Sequence, residues 1–368
     1  MASRPMVLRR RRERPRKAAV RRILLAPILA LAACAGFPPA PPSEAGVLFS
    51  ETRPSMATLV SITVADAAPA EAAAAADAAF RVFTRVDEVM NEWRPESPLS
   101  ALNGDAGSGR FVELPGDLCD VLRAGRAGAE QTGGLFDPTW AALRGVWRFG
   151  DGAAPALPSA GSVATACRLV SWRDLEVEPA VPSTAGAPCR ARLRRSGMQV
   201  GLSGLAKGWA VDRAVAELRG RGLRNFLVQA GGDLYAAGNR DGRPWRVGIR
   251  DPRGTGGEPF AWLEVSDAAF STTGDSERFF VADGKRYHHV IDTRTCWPAT
   301  ASRQVSVLAP AALEAEILGK AIFTLGGSDG LALAARRGAA AVIVTSENRV
   351  ASSPELSRRL EVVRPPSP

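Results

Sequence analysis

The stretch MQVGLSGLAKGWAVDRAVAELRGRG, from Met198 to Gly222, predicts a strand, a glycine-containing loop and a helix in direct succession. FLVQAGGDLYAAG, residues 226–238, follows and predicts two strands joined at a Gly-Gly turn. Further strand-like segments come after it, from WRVGIRDP to RQVSVLAP. Strands in series with only a few helices between them favour an α+β fold over a doubly wound sheet.

The first half of the chain has weaker patterns. Residues 47–64 contain the alternating stretch ATLVSITV and predict a strand. Apolar residues at helical spacing predict a long amphipathic helix over 67–93, and a second helix is predicted over 115–132 with its proline in the first turn. Residues 150–195 are rich in Pro, Ala and Ser and predict loops with a short helix. Near the end, residues 313–325 predict a helix, and AAAVIVTS a late strand.

The formal net charge of +9 is concentrated at the start of the chain. Residues 1–33 hold nine arginines, Lys17 and the single acid Glu13, so the rest of the chain is formally neutral. A neutral body lacks the basic surface that phosphate-backbone binding needs, which excludes a nucleic-acid-binding function. With 46% apolar residues, the chain can bury a core.

Residues 1–33 have the layout of a secretory signal, because a basic stretch precedes an apolar run too short to span a bilayer. The sequence LAAC, ending at Cys34, resembles a bacterial lipobox and predicts acylation of Cys34. A cleaved signal peptide with an incidental cysteine is the alternative. The arginine pair 21–22 matches a twin-arginine signal only weakly. Residues 34–46 predict a Pro-rich tether, and the expected location is the periplasmic side of a bacterial membrane.

The other cysteines are Cys119, Cys167, Cys189 and Cys296. An exported chain can oxidise them. Cys167 and Cys189 flank one insertion-like segment, so their pairing is the predicted disulfide. The spacing shows no CxxC or Cys/His pattern, so no structural zinc site is expected.

The loop GLSGLAKG, residues 201–208, has the character of an anion site. Free backbone N–H groups and the positive end of a helix dipole collect there, and Lys207 adds a full positive charge. This combination suits a phosphate or a pyrophosphate. The loop is not a Walker A motif, because Gly208 follows Lys207 and the required glycine spacing is absent. An exposed lysine at an ordinary helix N-terminus is the alternative.

YHHVIDTRTCWP, residues 287–298, contains the only histidines of the chain. Adjacent residues of a strand point to opposite faces, so His288 and His289 cannot form one bidentate metal site.

The order of the motifs resembles the ApbE family, the FAD:protein FMN transferases. The motifs are MAT at residues 56–58, MNEWRPESPLSALN, TGGLFDPTW, GLSGLAKGWAVDR, FLVQAGGDLYAAG, WRVGIRDP, TTGDSER, YHHVIDTRTCWP and AEILGKA. The resemblance covers residues 47–350 and leaves 351–368 as a C-terminal tail. It implies an α+β domain with mixed or antiparallel sheets flanked by helices, in which two subdomains form one flavin cleft.

Members of this family bind FAD and Mg²⁺ and transfer FMN to a Thr or Ser hydroxyl of a partner protein, releasing AMP; some hydrolyse FAD instead. The resemblance therefore implies an exported redox protein as the flavin acceptor. Eight positions correspond to flavin- or adenosine-binding positions: Met56, Trp93, Leu135, Phe136, Asp137, Gly201, Lys207 and Ile291. Lys207 would face the pyrophosphate. His289 matches the family's histidine and would be the general base, since an imidazole can take the proton of the acceptor hydroxyl.

The chain departs from the family pattern at the metal end. Gly201 stands where the family has an acid, and the metal-ligand positions correspond to Gly204, Glu316 and Lys320. An ammonium cannot ligate a cation. Either Lys320 replaces the metal and neutralises the pyrophosphate, or the site is degenerate and the protein is an FAD-binding carrier or accessory lipoprotein. An FAD pyrophosphatase is a third candidate activity, and Glu316 and Lys320 could also form a surface ion pair unrelated to any ligand.

Overall fold

The computed structural model describes residues 48–149, 156–178, 184–255 and 257–368. The predicted signal, the tether and the predicted acylation site Cys34 lie outside the described residues. The compact unit that contains the described residues runs from Glu44 to Pro368. Within those described ranges, no helix has the length and apolar character needed to cross a membrane.

The strands pair with one another in antiparallel fashion. In chain order they are β1 (Leu48–Ser55), β2 (Thr58–Ala65), β3 (Val112–Leu114), β4 (Leu175–Val177), β5 (Cys189–Leu193), β6 (Phe226–Ala230), β7 (Asp233–Ala237), β8 (Trp245–Arg250), β9 (Pro259–Val265), β10 (Ala268–Gly274), β11 (Phe279–Ala282), β12 (Lys285–His288), β13 (Ile291–Asp292), β14 (Trp297–Pro298), β15 (Ser302–Ala309), β16 (Ala340–Thr345), β17 (Val350–Ser352) and β18 (Leu360–Val362).

The helices are α1 (Pro69–Met90), α2 (Pro98–Gly104), α3 (Gly116–Gln131), α4 (Ala160–Cys167), α5 (Ala206–Gly220), α6 (Ala312–Leu325), α7 (Gly327–Arg336) and α8 (Pro354–Ser357). The helices predicted over 67–93, 115–132 and 313–325 are confirmed as α1, α3 and α6. The α+β fold with helices flanking antiparallel sheets is therefore confirmed.

An eight-stranded sheet in the order β1-β2-β6-β7-β10-β15-β16-β17 forms the middle layer. α1, α5 and α6 pack on one face, and the three-stranded sheet β18-β9-β8 packs on the other. In β16, Ala341 and Ile343 face the helices, while Val342 and Val344 face the small sheet. Because successive side chains of a strand point to opposite faces, a strand covered on both sides is an unbroken apolar run.

The single strand predicted over 47–64 is a hairpin of β1 and β2. Ser55 pairs with Thr58, which leaves Met56 and Ala57 as a two-residue loop. Both loop residues have positive φ, 51° and 55°, as a type I′ hairpin turn requires. Asn or Gly is the usual residue at such positions, so the sequence carried no signal for this turn.

Residues 150–195 contain more structure than loops and a short helix. The short helix is confirmed as α4, but β4 and β5 also lie here and form the sheet β3-β5-β4. In this sheet Ala191 of β5 is flanked by Val112 on one side and Val177 on the other. These strands are short and one partner is distant in sequence, so no local pattern revealed them.

The disulfide predicted between Cys167 and Cys189 is wrong. Cys119 pairs with Cys189, and Cys167 pairs with Cys296, at Cα–Cα distances of 5.9 and 5.7 Å. Cys119 lies on α3, which packs against the β5 strand that begins at Cys189. Cys167 ends α4 and meets Cys296 in a small core around Trp147. Thiols bond only when the packing of their elements brings their Cα atoms close, whatever their distance in sequence.

Removing the first disulfide by Cys119→Ala with Cys189→Ala is expected to lower the free energy of unfolding by about 2–5 kcal/mol, because it closes a loop of 70 residues. Denaturant titration of the variant and of oxidised wild type measures the difference. The free energy of unfolding of reduced wild type should fall by at least the same amount, since both disulfides are then open. Coincident curves for the variant and oxidised wild type would contradict this expectation.

The segment predicted to be a C-terminal tail, residues 351–368, is part of the fold. β18 pairs with β9, and Leu360 lies opposite Leu263. The backbone N–H and the hydroxyl of Ser367 both donate hydrogen bonds to the buried carboxylate of Asp251. This segment therefore forms one edge of the small sheet and belongs to the compact unit.

Candidate functional site

A cavity opens between the N-terminal end of α5, the middle of α6 and the segment that follows β12. The space between its walls is ≈ 990 Å³, counting the open mouth. Nine residues singled out in the sequence line it: Leu135, Phe136, Asp137, Gly204, Lys207, His289, Ile291, Glu316 and Lys320.

Three of the other predicted positions do not line the cavity: Met56, Trp93 and Gly201. Met56 lies in the turn between β1 and β2, where it packs half-buried against the main core.

α5 begins at Ala206, so the glycine loop does lead into a helix N-terminus as predicted. One of the free backbone donors is used by the protein itself, because Gly208 N–H donates to Glu316 Oε2 at 2.9 Å. A Cβ at Gly208 would lie 2.7 Å from the carbonyl oxygen of Ala312, so glycine lets α5 approach α6. This approach brings the side chains of the two helices together at the cavity.

Four charged side chains form a cluster at this approach. Lys207 Nζ lies 2.7 Å from Glu316 Oε1 and 3.2 Å from Asp233 Oδ2. Lys320 Nζ lies 3.4 Å from the same Oε1 of Glu316. The hydroxyl of Ser271 donates to Asp233. Both carboxylates are buried, whereas about a quarter of each lysine side chain is exposed, 24% and 25%.

The cluster fixes the charges of its members. Burial opposes the charged form of Lys207, but Glu316 and Asp233 outweigh it and raise the pKa of Lys207. Burial also opposes ionisation of Glu316, but Lys207 and Lys320 outweigh it and lower the pKa of Glu316. Burial and the neighbouring Glu316 raise the pKa of Asp233. Two ammonium groups thus face at most two carboxylates, and the cluster holds no excess negative charge.

The residues at the family's metal positions do not fit Mg²⁺. That ion prefers several oxygen ligands in octahedral geometry, and only Glu316 offers a side-chain oxygen here. The aliphatic part of Lys320 lies over Gly204, where an added Cβ would be 2.9 Å from Lys320 Cε. Across the described part of the chain, no group of three or more His, Cys, Asp or Glu side chains could hold a metal ion.

His289 presents a basic nitrogen to the cavity. Its Nδ1 lies 3.3 Å from the carbonyl oxygen of Arg278, which can only accept a hydrogen bond. Nδ1 therefore carries the proton, and Nε2 has a free lone pair. No residue in the described ranges forms a hydrogen bond with Nε2. Burial lowers the pKa of His289, so the ring is neutral near pH 7 and Nε2 can accept a proton.

His288 has a structural role. Its Nε2 donates to the carbonyl oxygen of Ala299 at 2.8 Å, and its Nδ1 accepts from Val290 N–H at 3.3 Å. Its ring meets the edge of Phe323, with centroids 5.5 Å apart. Burial lowers the pKa of His288 to about 4. Both ring nitrogens are used, so the two adjacent histidines differ in role.

The free energy of unfolding is expected to fall between about pH 6.5 and about pH 4, because His288 titrates near 6.5 when unfolded and near 4 when folded. In this window the unfolded state binds the extra proton, so stability present above the unfolded pKa is lost as pH falls. His288→Gln can still donate to Ala299 but does not titrate. The stability of wild type relative to this variant should shrink between roughly pH 7 and pH 4.5. If the difference in unfolding free energy between wild type and His288→Gln did not change with pH, the lowered pKa of His288 would be contradicted.

Asp137 lines the cavity, but its carboxylate is occupied. Oδ1 accepts hydrogen bonds from the N–H and the hydroxyl of Thr139 at 2.8 and 2.6 Å, and Oδ2 accepts from Trp172 N–H at 2.9 Å. Burial raises the pKa of Asp137. This geometry gives Asp137 the role of holding the cavity wall, and the ligand contact implied by the resemblance stays a prediction.

Trp93 lies outside the cavity lining and is 72% exposed. The guanidinium of Arg144 stacks between the rings of Trp93 and Trp140, at 4.6 and 4.9 Å from their centroids, and pairs with the buried carboxylate of Glu92. A Cβ at Gly201 would lie 2.9 Å from Arg144 Nη2 and 3.0 Å from Trp140 Cε2. Arg144 and Trp140 therefore fill the space in which the family has an acidic side chain.

Several cavity residues were not singled out in the sequence, among them Asp233, Thr273, Glu277 and Arg278. The motifs AGGDLY and TTGDSER contain all four of them, so a signal existed at the level of the motif. Its meaning depended on distant partners. Asp233 is informative only once Lys207 is known to lie 3.2 Å away.

Comparison with known proteins gives consistent matches. The model of the ApbE family matches residues 56–344. The chain is 34% identical to the FAD:protein FMN transferase of Treponema pallidum over 318 residues, which cover 83% of this chain and 87% of that protein. It is 31% identical to the Vibrio cholerae protein of the same name over 258 residues, covering 69% and 74% of the two chains.

Solved structures agree with these matches. The ApbE protein of Thermotoga maritima superposes with a TM-score of 0.75 at 27% identity, covering 85% of this chain and 99% of that one. The apo flavinyl transferase ApbE of Pseudomonas stutzeri superposes with a TM-score of 0.73 at 26% identity, covering 85% and 97%.

Proposed function

Since this chain belongs to the ApbE family, we propose that it is an FAD:protein FMN transferase, an enzyme that moves FMN from FAD to a protein. The relatives reported above carry this name at 34% and 31% identity, which favours it over an FAD carrier or an accessory protein. The observation that carries the proposal is one cavity that holds both the lysine cluster and the free Nε2 of His289.

The lysines are suited to the pyrophosphate of FAD. Lys207 and Lys320 line the cavity with about a quarter of each side chain exposed, and the buried carboxylates of Glu316 and Asp233 hold their ammonium groups in place. The first turn of α5 adds the positive end of its helix dipole. The N–H groups of Ala206 and Gly208 are already bonded to Leu202 and Glu316. Leu135, Phe136 and Ile291 supply apolar wall for the flavin or the adenine.

The transfer requires a base and a charge stabiliser. The acceptor hydroxyl loses its proton to His289 Nε2 as its oxygen forms a bond to the phosphorus of the FMN half. The bond from that phosphorus to the bridging oxygen breaks, and AMP leaves with the bridging oxygen and its negative charge. The two ammonium groups stabilise this charge. No step is assigned to Mg²⁺, because the residues at Gly204, Glu316 and Lys320 do not fit it.

The acceptor and the location are finer parts of the proposal. A neutral imidazole can take the proton of an alcohol. The family resemblance implies that this alcohol is a Thr or a Ser of an exported redox protein. The basic and apolar character of residues 1–33, together with the sequence LAAC, supports export and lipid anchoring at Cys34 on the periplasmic side of a bacterial membrane.

The purified chain should be incubated with FAD and an exported flavoprotein encoded beside its gene. After denaturing gel electrophoresis, flavin fluorescence is expected at the band of the acceptor protein. Release of AMP into solution is expected as well. Replacing the acceptor Thr or Ser with Ala is the matched control and should abolish the band. AMP release without acceptor labelling would indicate an FAD pyrophosphatase, and fluorescence lost on denaturation would indicate binding alone.

A further inference from the structure

The side chain of Lys320 takes the place that the family resemblance gives to a metal ion. Its Cε would lie 2.9 Å and its Nζ 3.7 Å from a Cβ built on Gly204, so the stem covers that backbone. Its Nζ lies 3.4 Å from Glu316 Oε1, and Lys207 Nζ lies 2.7 Å from the same oxygen. A Mg²⁺ ion at about 2 Å from this oxygen would have to displace at least one ammonium group.

The net charge of the cluster also disfavours a metal ion at this site. Lys207 and Lys320 already match Glu316 and Asp233, and protonation of Asp233 would leave the cluster positive. A divalent cation would enter a site with no negative charge left to bind it. A ligand that brings its own negative charge, such as a pyrophosphate, meets two partly exposed lysine side chains at the cavity wall, beside carboxylates that are buried.

We propose that Lys320 is a tethered cation that replaces the divalent metal, so that this chain binds the pyrophosphate of FAD without Mg²⁺. The inference rests on the proposed function for the identity of the ligand. Glu316 then positions the ammonium group instead of ligating a metal, and Gly204 leaves room for the lysine stem.

The first test is FAD binding to the full chain, measured by flavin fluorescence in EDTA and in Mg²⁺ without any acceptor. The dissociation constants are expected to agree within about twofold, and calorimetry with Mg²⁺ alone should show no binding. A loss of affinity of about tenfold or more in EDTA that Mg²⁺ restores would overturn the proposal. So would absence of FAD binding under both conditions.

Variants separate the charge of Lys320 from its packing. Lys320→Met keeps the stem and removes the charge, and it is expected to weaken FAD binding in EDTA by about tenfold or more. Lys320→Arg should recover part of the loss, which a purely structural role would not predict. Lys320→Thr with Glu316→Asp should bind FAD better with Mg²⁺ than with EDTA. Unchanged affinity in Lys320→Met, at unchanged thermal stability, would contradict the proposal.

These outcomes are distinguishable from failure of the proposed function. Metal-independent FAD binding without FMN transfer to any acceptor would leave the role of Lys320 standing and remove the transferase assignment. FMN transfer that requires Mg²⁺ would leave the transferase assignment standing and remove the role of Lys320 as a replacement for the metal.

Discussion

His289→Asn is expected to lower the rate of FMN transfer by about 10²–10⁴-fold, the usual contribution of a positioned general base. The asparagine side chain can still donate to the carbonyl oxygen of Arg278, as His289 Nδ1 does, but it has no counterpart to Nε2. FAD affinity should stay within about twofold, because the base acts on the acceptor hydroxyl and not on the bound cofactor. Single-turnover transfer and flavin fluorescence measure the two quantities.

The matched control is His288→Gln, which changes the neighbouring histidine. This variant should retain transfer, since both ring nitrogens of His288 are hydrogen-bonded to the backbone in the core.

Burial lowers the pKa of His289 below its ordinary value of 6.5, so the base is in its active neutral form above that pH. Transfer by wild type should therefore be flat above about pH 6.5 and decline only at lower pH. If His289→Asn keeps more than about a tenth of the wild-type transfer rate, another group takes the proton.

Lys207→Met is expected to reduce both FAD affinity and stability. Removing one partner of a buried ion pair leaves an uncompensated charge, which costs up to about 3–5 kcal/mol of unfolding free energy. The loss should fall short of that range, because Lys320 remains 3.4 Å from Glu316 Oε1 and Lys207 itself is partly exposed. FAD affinity should fall by about tenfold or more, since a charged hydrogen-bond donor to the pyrophosphate is lost.

Lys285→Met is the control for removing a lysine. Lys285 is exposed on β12, so its loss should change the unfolding free energy by less than about 0.5 kcal/mol. Adding Glu316→Gln to Lys207→Met should restore part of the stability, because one carboxylate, Asp233, then faces one ammonium group, Lys320, instead of two carboxylates facing one. Equal stability of Lys207→Met and Lys285→Met would mean that the cluster contributes no net stabilisation to the fold.

Some of the site could be predicted from the sequence because the relevant signals are local. The glycines and Lys207 lie within one short stretch of sequence. Strand geometry predicts opposite faces for His288 and His289, but β12 ends at His288, so His289 lies just beyond the strand. The α+β fold followed from strands in series, and the position of His289 in the cavity agrees with its motif. In each case, the residues that carry the signal are neighbours in the chain.

What could not be predicted depends on contacts between distant segments. The disulfides join Cys119 to Cys189 and Cys167 to Cys296, at sequence separations of 70 and 129 residues. The role of Asp233 depends on Lys207, which lies on a different element. Local spacing cannot encode such pairs.

The departures from the family pattern also needed the structure. The absence of an acid at position 201 has a packing cause, since Arg144 and Trp140 occupy that space. Helical spacing alone predicts that Lys320 lies beside Glu316, but its contact with Gly204 and its shared oxygen with Lys207 required the approach of α5 to α6. The two unusual positions therefore have different causes.

The most direct test of the central claim is intact mass spectrometry of an acceptor protein after incubation with this chain and FAD. Covalent transfer predicts a mass increase equal to one FMN less one water, on a Thr or Ser residue, with one AMP released for each modified acceptor. An acceptor of unchanged mass, under conditions in which FAD is bound or consumed, would contradict the assignment of this chain as an FMN transferase.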